Sequence, residues 1–289
     1  MIALLVAANM MWGSGWVVAK FLLTGMLPLQ VAAWRMIVAG LLILPLTLHH
    51  VRRGLLPPRL WPQLLFLALI GFVLPKALNL WGVDFSTATS AALLMGSEPL
   101  FTLLLGVLLL RERLNGARLA ALALGTAGSY LIVARGWGLP DWRSLQTLGD
   151  LIFMAGLALE SWYTVAGKAS LARMSPLVVT AATISASLVF WLPVAAWDIA
   201  AHGWPAASPG AAAGIAYLAI GLTLVGYWIW LAALQTIDAG HAGLSIFVQP
   251  LFGAALSVTL LAESITSAMA VGGALILLSL GLALRVERT

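Results

Sequence analysis

Runs of about twenty apolar residues follow one another along nearly the whole chain, and a helix of that length crosses the ~30 Å hydrocarbon core of a bilayer. A chain patterned in this way has few soluble alternatives. Of its 289 residues 62% are hydrophobic and only 9% charged, whereas soluble domains carry about 25% charged residues. There is too little polar surface to coat a water-soluble globule. Lipid offers no partners to backbone amides, so segments this long and apolar must satisfy their hydrogen bonds internally, as helices. Hydropathy and turn residues divide the chain into ten spans, at 2–23, 30–48, 61–82, 86–110, 117–134, 149–169, 176–198, 211–234, 240–262 and 268–285. The breaks hold Gly25 to Pro28, Pro57-Pro58, Asn115-Gly116, Gly136 to Pro140, Ser175-Pro176 and Pro205 to Gly210. The connection near 83–86 is very short, so the third and fourth spans are expected to form a tight antiparallel pair, and the eighth and ninth likewise. The first apolar stretch starts at Met1 without a basic leader and reads as a retained span.

The net charge of +5 is scattered through short loops and forms no basic stripe, which argues against a nucleic-acid partner. Topology accounts for it better. With the N-terminus in the cytoplasm, Arg52, Arg53, Arg59, Arg111, Arg113, Arg118, Lys168, Arg173, Arg285 and Arg288 fall on the cytoplasmic side, against Arg135 and Arg143 on the other. Lys and Arg concentrate in cytoplasmic loops, so both termini are expected inside. The absence of cysteine excludes disulfides and thiolate metal sites. His49, His50, His202 and His241 form no HxxxH or HxH pair, so no metal site is expected, and nothing in the sequence calls for a cofactor.

The chain also repeats itself. Ala91, Leu93, Pro99, Leu100, Phe101, Leu109, Leu110 and Glu112 recur as Ala242, Leu244, Pro250, Leu251, Phe252, Leu260, Leu261 and Glu263, at a constant offset of 151. Pro28-Leu29 and Pro45-Leu46 of the second span recur as Pro176-Leu177 and Pro193-Val194 of the seventh, at an offset of 148. The unit holds an odd number of spans, so the second copy must enter the membrane from the opposite side. The expected architecture is therefore an all-α polytopic membrane protein with ten transmembrane helices in two inverted five-helix repeats, 1–135 and 149–289, joined by a linker at 136–148. Inverted repeats are typical of alternating-access carriers, with substrate near the bilayer midplane at the repeat interface. That mechanistic use makes transport preferable to the plain alternative of an enlarged bundle.

Several motifs resemble the drug/metabolite transporter superfamily, specifically its ten-span EamA-type exporters. They are Trp12-Gly13-Ser14-Gly15-Trp16 through Lys20, Arg35 within AAWRMIVAGLLILPL, Pro99 followed by LFTLLLGVLLLRER, and Gly149-Asp150-Leu151 through Trp162-Tyr163. The resemblance covers essentially the whole chain. It implies export of small metabolites, often amino acids, across a bacterial cytoplasmic membrane, with exporters of aromatic amino acids as the nearest parallel. One position departs from the family pattern: Glu98 stands where a small or neutral residue is usual.

Charged side chains within a span cost about 2.5–3.5 kcal/mol each on insertion scales. Lys20, Arg35, Lys76, Glu98 and Glu160 lie within spans and are expected to face the bundle interior. Glu98 and its repeat counterpart Gln249 each precede a proline, Pro99 and Pro250. A mid-helix proline removes a backbone hydrogen bond, and such breaks survive in membranes where protein or a watery cavity satisfies the backbone. Two related breaks beside polar side chains thus point to a central cavity; the plainer alternative is a pair of packing kinks with Glu98 neutralising a lysine. Lys20 shares a helix face with Asn9, Gly13 and Trp16, and Lys76 with Asn79. Either lysine could hold a substrate carboxylate or enter an ion pair with Glu98 or Glu160. Arg35 is read as structural, with Asp150 as its expected partner. Glu98 or Glu160 is also a candidate for proton coupling.

Of thirteen tryptophans, Trp61, Trp137, Trp142, Trp197 and Trp204 lie at span ends or in loops and are read as interfacial anchors. Trp12, Trp16, Trp162, Tyr163, Tyr227, Trp228 and Trp230 lie deeper. They offer flat walls for an aromatic or large aliphatic side chain or a cage for a cation, with packing against lipid or helices as the alternative for each. Ala117, Ala121, Gly125 and Ser129 form a small-residue stripe suited to close helix packing or a dimer contact, so the chain is expected as a monomer or homodimer. The competing functions are a carrier of zwitterionic amino acids, a carrier of another metabolite, drug or organic cation, a channel, and an intramembrane enzyme. The absence of HExxH, a Ser-His pair at plausible depth and a phosphate loop weighs against the last.

Overall fold

The structure, a computed structural model, describes residues 1–111, 115–170, 175–205, 208–234 and 245–286. Arg113, Arg173, Arg288, His241 and Glu112 lie outside the described residues, as do Ala242 and Leu244 of the repeat and the connection between the eighth and ninth spans. Among the described residues the regular structure is helical throughout. The spans are α1 (Ile2–Leu22), α2 (Pro28–Arg52), α3 (Pro58–Phe85), α4 in two limbs (Ala88–Met95 and Glu98–Leu110), α5 (Gly116–Ala134), α6 (Leu145–Ser170), α7 (Pro176–His202), α8 (Pro209–Ala233), α9 (Val248–Leu261) and α10 (Ser267–Val286). Six of them are continuous helices apolar and long enough to cross a bilayer. The limbs of α4 together make another span, bent by 43°. The 14-residue α9, α10 with its apolar stretch Ser267–Ala283, and the more polar α6, which carries Asp150 and Glu160, complete the set.

Local chemistry sets the helix ends. Proline occupies the first turn of α2, α7 and α8, where its missing N–H costs nothing. Asn115 caps α5 by accepting from the Arg118 amide. The second limb of α4 and its repeat partner α9 both end in a left-handed residue, Arg111 and Ala262, at the offset of 151 found in the sequence. Apolar side chains such as Leu108, Val189, Leu260 and Leu278 remain exposed on the outer surface, as a lipid-facing shell requires. Trp137, Trp142, Trp197 and Trp204 stand exposed at helix ends and in loops.

The packing respects the duplication. α2 packs on α7 and α5 on α10, each helix against its own repeat partner. α3 packs on α6, mirrored by α8 on α1, and α1 on α9 is mirrored by α6 on α4. Exchanging the two halves maps this list onto itself, as a pseudo-twofold axis demands. The small-residue stripe of α5 serves this intramolecular packing: Ala121, Gly125 and Ser129 are buried, and Ser279 of α10 donates to the Ala121 carbonyl at 2.8 Å.

The close pairing expected of α3 and α4 does not dominate. α3 lies mainly along α6, because Gly82 and Gly149 let the two backbones meet; a Cβ on Gly149 would sit 2.7 Å from the Gly82 carbonyl oxygen. α4 instead packs its first limb on α9. Both α3 and α8 widen into π-helical turns at related positions, Leu69–Val73 and Tyr217–Gly226. Each widening exposes a carbonyl, and a tryptophan indole answers each: Trp191 donates to Phe72 and Trp12 to Leu222, both at 3.0 Å.

Candidate functional site

A cavity of about 540 Å³ lies where α1, α3, α4, α6, α8 and α9 converge. Its lining includes Trp12, Trp16, Arg35, Lys76, Glu98, Pro99, Thr102, Glu160, Tyr227, Trp230 and Gln249. It also takes in Gly106, Arg118 and Ala283, close to the helix ends on the face that carries both chain ends. The cavity thus runs from the helix breaks toward that terminal face.

Polar contacts from both halves close on the segment 83–90 and seal the opposite face. Lys20 donates to the carbonyls of Val83, Asp84 and Ser86, at 2.7, 3.0 and 2.8 Å. Glu263 accepts from the amides of Ala88 and Thr89 at 3.0 and 2.7 Å, capping the first limb of α4 from the second repeat. Asp150 accepts from Ser86 and pairs with Arg135 at 3.2 Å, while Arg135 also donates to Ser86 and Ser90. One turn of chain, 83–90, is therefore gripped by α1, by the α9–α10 connection and by α6 together with Arg135.

At the breaks, each half contributes a related crossing. α1 meets α9 at Gly13, where a Cβ would lie 2.5 Å from the Gln249 carbonyl oxygen; a Cβ on Gly253 would lie 2.6 Å from that of Gly13. Gln249 donates to Asn9, and Asn9 donates to Ser245 and to the Leu5 carbonyl, so this crossing is closed and its amides satisfied. The counterpart crossing of α6 and α4 has Ser161 where α1 has Gly13; its hydroxyl donates to the Glu98 carbonyl at 3.0 Å. The Glu98 carboxylate borders the cavity and takes no hydrogen bond among the described residues.

Charge is paired on one wall. Lys76 Nζ meets Glu160 Oε1 at 2.6 Å, and Asn79 donates to the same oxygen at 2.9 Å. The aromatic wall stands opposite in the repeat: Trp12 packs edge-on against Tyr227 at 5.8 Å and against Trp230 at 6.0 Å. Trp12 and Glu160 share the offset of 148, and Lys76 and Tyr227 that of 151, so the ion pair and the aromatic pair are the same contact written twice.

The structure brings together on the cavity surface Trp12, Trp16, Lys76, Glu98, Pro99, Glu160, Tyr227, Trp230 and Gln249. It places the other sequence candidates elsewhere. Lys20 is consumed by three carbonyls at the sealed face. Asn79 is buried and donates to Glu160, and Pro250 is buried in the first turn of α9 and does not line the cavity. Trp162 and Trp228 point outward, 42% and 60% exposed. Tyr163 packs edge-on against Phe72 at 5.2 Å, over Gly71. Arg35 reverses the sequence expectation: Asp150 belongs to Arg135, and Arg35 lines the cavity, its Nε donating to Thr223 at 3.1 Å. Thr102 and Thr223 carried no sequence signal. Among the described residues no group of three acidic or histidine side chains is arranged to hold a metal.

Comparison with known proteins places this arrangement. The EamA-like transporter family matches residues 1–134 and again 147–285. The chain belongs to that family. It is accordingly a multi-pass membrane transporter and not an enzyme. An uncharacterized transporter of Archaeoglobus fulgidus is 29% identical over 275 residues, 93% of this chain and 92% of the relative. A probable terminal-alkyne amino-acid exporter of Streptantibioticus cattleyicolor is 27% identical over 195 residues, 68% of this chain and 63% of the relative. An S-adenosylmethionine/S-adenosylhomocysteine transporter of Chlamydia muridarum is 24% identical over 260 residues, covering 88% and 81%. One solved crystal structure shares the fold with a TM-score of 0.65 at 22% identity, over 99% of this chain and 97% of that one.

Proposed function

We propose that this EamA-family transporter exports amino acids with aromatic or large apolar side chains from the bacterial cytoplasm, across the inner membrane, by alternating access. The observation that carries this reading is the cavity at the α1–α9 and α4–α6 crossings, which sets an aromatic wall against charged groups of both signs. A large apolar side chain suits the first and a zwitterionic head group the second. The names of two relatives point the same way, since each refers to a molecule bearing an amino-acid head group. The repeats, taken as 1–135 and 149–289 about a linker at 136–148, would rock about the broken helices. With both termini cytoplasmic, as the Lys and Arg distribution suggests, the cavity faces the cytoplasm in this structure, ready to load.

Reconstitution in liposomes with a panel of labelled amino acids, with and without a pH gradient, tests the proposal. Saturable movement of phenylalanine, tryptophan or leucine is expected, and a dependence on the gradient would identify proton coupling. A panel in which no amino acid moves in either condition would remove the substrate assignment. An organic cation is the second reading, favoured by Glu98 on the same cavity lining as Trp12 and Trp230. It would show as transport of quaternary amines that is lost in Glu98→Gln.

A further inference from the structure

The charges of the cavity do not all cancel. Among the described residues, the ion pairs are Lys76–Glu160, Arg135–Asp150 and His202–Asp198, and only the first of these lies at the cavity. Setting it aside leaves Arg35, Glu98 and Arg118 on the lining. Arg118, in the first turn of α5 near the terminal face, has interactions of its own, whereas Arg35 and Glu98 make no salt bridge to each other or to another described residue. Arg35 is nevertheless firmly held. Its Nε donates to the Thr223 hydroxyl at 3.1 Å, and Thr223 in turn donates to the Leu218 carbonyl at 2.9 Å, inside the π-helical turns of α8. The terminal guanidinium nitrogens have no partner among the described residues and are not sealed in protein. A guanidinium fork fixed through one nitrogen, with the other two free at a cavity, is built to take a carboxylate in bidentate fashion. Glu98, at the first turn of the second limb of α4, presents an unshared carboxylate to the same space. An ion bearing one charge only would leave the opposite group uncompensated within the membrane span, which is costly; a zwitterion compensates both.

We propose that Arg35 and Glu98 form a two-point clamp for an α-amino acid, Arg35 taking the carboxylate and Glu98 the ammonium group. The apolar side chain then lies toward Trp12, Tyr227 and Trp230. This deepens the amino-acid reading above and rests on it for the identity of the cargo. It makes Arg35 the residue that rejects amines lacking a carboxylate, and Glu98 the residue that rejects acids lacking an ammonium group.

The test uses the purified full-length chain, with labelled phenylalanine binding in detergent and phenylalanine uptake in liposomes measured in parallel. Phenethylamine and 3-phenylpropionate serve as competitors. In the unaltered protein phenylalanine should outcompete both by at least tenfold. Arg35→Gln should bring phenylalanine and phenethylamine to within about threefold of each other while phenylpropionate stays weak. Glu98→Gln should do the converse. Arg35→Lys, which keeps the charge and loses the fork, should fall between. These are ratios within one preparation, so partial loss of folded protein does not affect them. If phenylalanine is transported and Arg35→Gln keeps the tenfold preference over phenethylamine, the clamp is overturned and the transport reading stands. If phenylalanine binds with the expected ratios but does not cross the liposome, the clamp stands and the transport reading falls. If it neither binds nor crosses, both are overturned.

Discussion

The two halves of the molecule share a backbone plan and differ in what they do with it. Where the second repeat sets Tyr227 of α8 against Trp12 of α1, the first sets Lys76 of α3 against Glu160 of α6. Where Gln249 is absorbed into a closed amide network with Asn9 and Ser245, Glu98 faces the cavity. The Gly13–Gly253 crossing brings backbone against backbone, while its twin at Ser161 is bridged by a hydroxyl. Duplication supplied the paired, inverted helices that a rocking carrier requires, and among the described residues α4 is broken between its two limbs. Divergence of a handful of side chains then made one wall ionic and the other aromatic. A symmetric framework thus encloses an asymmetric cavity, and such a cavity can orient its cargo.

Four measurements would break or sharpen this contrast. The largest effect is expected on the ionic wall. Glu160→Leu leaves Lys76 as an unpaired cation in a partly buried site, at a cost of about 3–5 kcal/mol. The double variant Lys76→Met with Glu160→Leu should recover most of that loss in thermal unfolding. A single variant no less stable than the double would show that the wall is not a functional ion pair. Next come the crossings. Gly13→Ala forces a methyl against the Gln249 carbonyl and should cost about 1–3 kcal/mol. Ser161→Ala removes one hydrogen bond and should cost about 1 kcal/mol or less. Equal costs would mean that the two crossings are not differently packed.

The aromatic wall should show up in transport. Trp12→Ala is expected to raise the half-saturation concentration for aromatic cargo about tenfold. Trp12→Phe, which keeps one ring but loses the indole N–H bond to the Leu222 carbonyl, should raise it less. Identical values for the two would assign the wall to packing alone. The smallest effect is expected at the sealed face. Glu263→Ala removes the cap on Ala88 and Thr89, worth about 1 kcal/mol, or about fivefold in the balance of the two facing states. The chain has no cysteine, so a lone Ala19→Cys probe in the cavity would report that balance through its rate of labelling from the face opposite the termini. An unchanged rate would show that Glu263 does not hold that face shut.

Much of this was legible in the residues, for reasons that can be named. The spans could be read because lipid demands helices of a set length, and the breaks because Pro99 and Pro250 cannot donate. The repeat could be read because Pro28 and Pro45 recur in step as Pro176 and Pro193, and Leu100 and Leu109 as Leu251 and Leu260. The fate of each charge could not be read in this way. Lys20 and Lys76 look alike in sequence, each a lone cation in an apolar run. One ends among three carbonyls of the 83–86 turn and the other against Glu160. By residue count Arg35 and Asp150 lie near the same membrane surface, which makes them look like partners. The structure gives Asp150 to Arg135, which stands just beyond the end of α5, and turns Arg35 toward α8. Trp162 and Trp228 show the same limit: depth along a helix could be counted, but not the direction its face would take.

The sequence by itself determined the solvent, the number of crossings and the inversion of the second half, because these follow from apolar length and from an odd count of spans. Only the tertiary structure decided which charges neutralise one another and which remain open to a ligand. That outcome depends on helix rotation and on close approach at glycines, contacts between different helices that no local pattern encodes.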